Sequence, residues 1–159
     1  MIKRIWPLFA FAAACASVQA DAPFPAATAT YFTGSDVNAQ YEGKVVAIEG
    51  RIIRIESGPK DKPIFELSLA PAVSRTVWIG SLVADSQGKL HAGDTIRVLG
   101  YLQKVAADDT WTKAVTKDAH HVLGFCFVNL NSKQGLFLPA GIKQCEAWQA
   151  GQRPEQLTK

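Results

Sequence analysis

His120 and His121 are adjacent, and histidine is the side chain most often found binding a metal or moving a proton near neutral pH. Neighbouring residues in a strand point to opposite faces, so one metal would rarely take both. The pair reads as structural or solvent-facing, and metal or haem handling stands as an alternative. Cys126 and Cys145 lie in no CxxC or HxxxH spacing of a zinc site, so no metal ligand set is assigned. Ser81 and Ser86 lack a nucleophile motif, and Asp108-Asp109 sits in a polar stretch where neighbouring acids are normally solvated. No enzyme and no cofactor are therefore expected. Arg51, Trp78, Arg97 and Tyr101 fall within apolar, β-branched runs. On one sheet face, arginine and aromatic side chains stack a ring and pair with an anion. In the plainer alternative, Trp78 fills the core, Tyr101 covers its edge, and the arginines are solvated or paired with Glu49 and Glu66.

The elements that carry these residues are mostly strands. Lys44–Ile55 (KVVAIEGRIIRI) is β-branched and long, with Gly50 placed for a bend or bulge. Ser57–Pro63 is a turn by composition. Residues 64–69, 76–82, 95–103 and 120–130 read as four further strands, with Gly100 inside the fourth of the five. Alternation puts Arg97 and Tyr101 on one side of that strand and Ile96 and Val98 on the other. Residues 106–118 form a long polar connection containing Trp111. Ser35-Asp36 reads as the cap of a short helix through Tyr41, with Val37 and Tyr41 on one face. Gly135–Ile142 reads as a short extended piece, Ile142–Gln149 as a helical turn, and Gln152–Lys159 as a mobile tail. Five strands with glycines at corners imply an all-β, closed five-stranded OB-fold barrel with a short N-terminal helix and a C-terminal extension.

The start of the chain bears on location. Lys3 and Arg4 precede the apolar run Ile5–Ala14, and Val18-Gln19-Ala20 offers small residues for cleavage before Asp21. This is the order of a secretory signal, and its apolar part is short for a membrane span. The expected organisation is a signal peptide over 1–20, a flexible leader over 21–34, the barrel over 35–130 and the extension over 131–159. A lipoprotein anchored at Cys15 is the rival, although Ala12 stands where a large aliphatic residue is usual. The formal charge of +3 includes Lys3 and Arg4; removing them from the 17 basic residues leaves 15 against 14 acidic ones, or +1. Strong nonspecific nucleic-acid binding is not expected at that charge. In an exported chain, Cys126 and Cys145 favour a disulfide, with two separate buried thiols as the alternative.

Asn38–Ile52 (NAQYEGKVVAIEGRI) and Gly93–Tyr101 (GDTIRVLGY) resemble the tRNA_anti-like OB-fold family and the exported bacterial OB-fold (BOF) proteins. The family pattern is a short helix ending in a Y-x-G-K turn, a strand running to a glycine, and a later G-D-x-V-x-V-x-G strand. The resemblance spans roughly Ser35–Gln103 and assigns Gly43, Gly50, Gly93 and Gly100 as fold residues. Past Gln103 the chain departs from the short ending usual in these barrels. The resemblance implies a barrel and leaves the ligand open. The function expected is an exported binding or interaction module, monomeric, for a small molecule or protein in the periplasm or outside the cell. Nucleic-acid binding through the barrel face is the alternative from another class.

Overall fold

A computed structural model of the chain describes residues 23–157. The expected signal peptide over 1–20 and Cys15 lie outside the described residues. The elements run α1 (Thr28–Tyr31), β1 (Phe32–Thr33), β2 (Asp36–Val37), β3 (Val45–Glu56), β4 (Ile64–Ser68), β5 (Thr76–Ser81), β6 (Thr95–Lys104), α2 (Thr110–Thr116), β7 (His120–Asn129), β8 (Gly135–Phe137) and α3 (Ile142–Gln149). Single 3-10 turns cover Ala39–Tyr41, Pro59–Asp61, Pro139–Gly141 and Pro154–Gln156.

The sheet order is β5-β4-β3-β6-β7-β8, and β5 also pairs with β7. That last pairing is parallel, Trp78 opposite His121 through Ser81 opposite Gly124, while all other pairings are antiparallel. Strands β3 to β7 thus close a five-stranded mixed barrel with the strand order of an OB fold. β3 is long because it serves two neighbours. Residues 45–51 pair with β6, and residues 51–56 pair with β4. Gly50 marks the crossing, where a Cβ would stand 2.7 Å from the Ser68 carbonyl oxygen. Any larger residue would push the two strands apart.

Alternation along the strands gives the barrel two faces. Val46, Ile48, Phe65, Leu67, Ile79, Val98 and Phe127 fill the inside, with Phe65 and Phe127 in edge contact at 5.7 Å between ring centroids. A second apolar layer covers the outside of β3, β6 and β7. Ala47, Leu99, Phe125 and Cys126 meet Cys145 and Trp148 of α3. Trp148 is fully buried, and its indole N–H donates to the Pro25 carbonyl at 2.7 Å. A disulfide between Cys126 and Cys145 fastens α3 to β7 across a sequence separation of 19. A bridge of that span stabilises by about 3 kcal/mol in the chain-entropy treatment.

Several expectations need correction. Residues 23–33 do not form a flexible leader. Tyr31 and Phe32 are buried in the barrel core, and Phe24 meets Trp148 edge-on at 5.0 Å. Ser35-Asp36 caps no helix, because β1 and β2 form a small hairpin there. The turn that follows is a single 3-10 turn, capped by Asn38, whose side-chain oxygen accepts from the Gln40 amide. The polar connection 106–118 contains α2, whose first turn is capped by Asp109 accepting from the Thr112 amide at 2.9 Å. The C-terminal tail packs as far as Leu157: Pro154 is buried, and the Tyr31 hydroxyl donates to Glu155.

Candidate ligand-binding cleft

The structure distributes the four sequence-selected residues over different surroundings. Arg97 and Tyr101 do share the outer side of β6, and Ile96 and Val98 face the interior. Arg97 stands opposite Glu49, and its Nε donates to Glu49 Oε2 at 2.6 Å. Its Nη1 donates to the Pro23 and Phe24 carbonyls at 3.1 and 3.0 Å. The guanidinium therefore ties the N-terminal segment to the barrel, as the plainer alternative anticipated for its Glu49 partner. Arg51 is exposed and donates through Nε to the Gly93 carbonyl at 3.2 Å. Tyr101 packs on Phe125, ring centroids 5.2 Å apart, beside the C-terminal extension.

Trp78 sits elsewhere. Arg51 is opposite Ser68, which is opposite Thr76, whereas Arg54 is opposite Glu66, which is opposite Trp78. A bulge between Ile52 and Arg54 sets this register. Arg54 consequently lies over the Trp78 ring at 4.7 Å and pairs with Glu66 at 3.6 Å and Glu56 at 3.7 Å. Trp78 is only 3% exposed, so this outer strip is already covered and neutralised.

Beyond Trp78 the same cross-strand row reaches His121. There the barrel wall meets two connections, the 57–63 turn and the segment holding α2. Between them lies an open cavity of about 330 Å³. Ile64, Gly80 and Leu123 give it apolar surface; Lys60, Lys62, Asp109, Trp111 and His121 give it its chemistry. The turn is tightly built. A side chain on Gly58 would collide with the Lys62 carbonyl oxygen, so only glycine fits. Lys60 and Asp61 both take left-handed backbone, with φ of 58° and 56°. This geometry is unfavourable for non-glycine residues. The Asp61 carbonyl accepts from the Asp85 amide at 3.1 Å, and the Pro63 carbonyl accepts from the Ser81 amide at 2.9 Å, which pins the turn to the barrel.

The polar groups differ in how far they are satisfied. Neither lysine side chain makes a hydrogen bond or ion pair with another described residue. Asp109 is held below the usual carboxylate range, first by the hydrogen bond from the Thr112 side chain and then by the Thr112 amide. Trp111 is 37% exposed, one of the large hydrophobic side chains left open to solvent. His121 is 5% exposed, and its Nδ1 is buried without a hydrogen-bond partner. Burial pushes its pKa down, so the ring is neutral at pH 7.

His120 faces away, as alternation requires. Its Nε2 lies 3.4 Å from Glu42, which also pairs with Lys104 at 3.3 Å. These contacts, the His120 bond foremost, hold the Glu42 carboxyl below its ordinary value. Among the described residues, no three His, Cys, Asp or Glu side chains gather as a metal site. Ser81 Oγ donates to the Val83 carbonyl at 2.6 Å and accepts from the Val83 amide, which makes it a turn residue.

Sequence reading placed Trp111 and the 57–63 turn in loops without joining them. The signals present were an aromatic residue inside a polar connection and two lysines, either side of Asp61, following Gly58-Pro59. No protein-family model matches the chain, and no curated protein matches it. The barrel's own strand order defines the class: a closed five-stranded mixed β-barrel of OB type, extended at its C-terminus by a disulfide-tied helix.

Proposed function

We propose that this chain is an exported OB-fold binding module whose ligand enters the cleft between the 57–63 turn and α2. The observation that carries the reading is one cavity lined by an exposed tryptophan, by two lysines unpaired among the described residues, and by His121. OB barrels bind between the corresponding loops, which supports the same place. We propose cleavage of the signal peptide before Asp21 and a periplasmic or secreted, monomeric protein. The Cys126–Cys145 bridge suits an oxidising compartment, and no described helix is long and apolar enough to cross a membrane.

The test is amide chemical-shift mapping of the chain from Asp21 with a small-molecule library and a single-stranded oligonucleotide. Saturable shifts at 58–63, 109–112 and 121 are expected from small molecules. An oligonucleotide that shifts the Arg54–Trp78 strip with a steep salt dependence would replace this reading by nucleic-acid binding. No saturable shift in the cleft from any probe would remove it.

A further inference from the structure

We propose that the cleft selects a small ring-bearing monoanion, an aromatic carboxylate, stacked on Trp111 with its charge beside Lys60 and Lys62. This rests on the reading of the cleft as the binding site and names the class of its ligand. Size sets the first limit. A cavity of about 330 Å³ lies at the lower end of ligand pockets, room for one or two rings rather than a polymer chain. Charge sets the second. Two unpaired lysines against the single carboxylate of Asp109 leave one positive charge on the lining, which matches a monoanion. The Asp109 carboxylate is already engaged, since Oδ1 accepts from the Thr112 amide, so it offers little to a cationic ligand.

Shape sets the third limit. Trp111 presents aromatic surface to the opening, and Ile64 and Leu123 supply apolar contact on the barrel side. A planar ring uses both. His121, 5% exposed, adds the edge of an imidazole ring to the same lining. The left-handed pair Lys60-Asp61 makes the turn that places Lys60 and Lys62 on the same cavity. Strained backbone of this kind persists where surrounding contacts over-determine it, as the Asp85 and Ser81 bonds do here.

The experiment titrates the disulfide-bonded chain from Asp21 with benzoate, benzyl alcohol, acetate and maltose, read by amide shifts and tryptophan emission. Benzoate should shift the amides at 58–63, 109–112 and 121 saturably. Benzyl alcohol and acetate should each bind at least about tenfold more weakly, since one lacks the charge and the other the ring. Lys60→Ala/Lys62→Ala, at two solvent-reachable side chains, should weaken benzoate about tenfold while leaving the unfolding midpoint in place. Trp111→Ala should weaken it by a similar factor. Equal binding of benzoate and benzyl alcohol, or an unchanged benzoate affinity in the double lysine variant, overturns the ligand class and keeps the cleft. Cleft shifts from maltose alone assign a neutral sugar and do the same. No shift from any probe at these amides removes both the class and the cleft.

Discussion

Replacing both Cys126 and Cys145 by alanine tests what holds the C-terminal extension in place. The bridge joins β7 to α3 and closes a loop containing β8 and the Pro139–Gly141 turn. For a separation of 19, freeing that loop in the unfolded chain costs about 3 kcal/mol of stability. Both cysteines are buried, at 0% and 2% exposure, beside Leu99, Phe125 and Trp148. Removing them leaves small voids worth about 1 kcal/mol together. The sum, about 4 kcal/mol, corresponds to a fall in Tm of about 14 °C for a domain of this size. Urea unfolding followed by far-UV circular dichroism and by tryptophan emission measures it. Hydrogen exchange should also show the amides of α3 opening before those of β3 and β6, because the anchor lost is on their side. A loss under about 1 kcal/mol would refute the reasoning, as would two reactive thiols in the unfolded, unreduced chain from Asp21.

The other expectations are local. Gly100→Ala should cost about 3 kcal/mol or prevent folding, since its Cβ would stand 2.5 Å from the Leu123 carbonyl oxygen and 2.9 Å from Gly124 Cα. Gly80→Ala meets only the flexible end of Leu123 at 3.1 Å and should cost under about 1 kcal/mol; equal losses in thermal melts would contradict the packing argument. Arg97→Ala should cost about 2 kcal/mol. Glu49 is 40% exposed, so most of this comes from the two bonds to the Pro23 and Phe24 carbonyls. Unaltered exchange at the Ala27 amide, which donates to Ala47, would speak against that anchoring role. His121 links stability to pH. Its native pKa lies below the ordinary 6.5, so just below pH 6.5 the unfolded chain takes up a proton that the native ring refuses. Stability should therefore fall as pH drops through and below 6.5, and His121→Gln should flatten that slope in urea titrations. Glu42 and Asp109 have lowered carboxyl values, so their stabilising effect is lost only in more acidic solution. An identical slope in the variant would assign the effect elsewhere.

The amino-acid sequence by itself determined the strands. The runs around Val45–Glu56, Ile64–Ser68, Thr76–Ser81, Thr95–Lys104 and His120–Asn129 are β-branched, alternate, and end at turn residues. Those are local signals, readable without knowing the partner strand. Gly50 and Gly100, glycines inside strands, suggested the bends and corners of a closed barrel, and the paired cysteines suggested their bridge. Features that depend on a distant partner were hidden. The bulge after Ile52 decides that Arg54, and not Arg51, meets Trp78, and register is a property of two strands together. α2 is a seven-residue helix within a polar connection, too short to show a clear apolar period. The N-terminal segment looked like a tether because its apolar residues, Phe24, Tyr31 and Phe32, are spaced irregularly. Each finds its pocket on a surface built from other elements. The cleft is the clearest case. Lys60 and Lys62 come from one turn, Trp111 from a helix some fifty residues later, and His121 from the next strand. Only closure of the barrel through the parallel pairing of β5 with β7 brings that strand beside the turn. Tertiary structure alone decided the cleft, because contact between segments so far apart in the chain is fixed by topology and not by local preference.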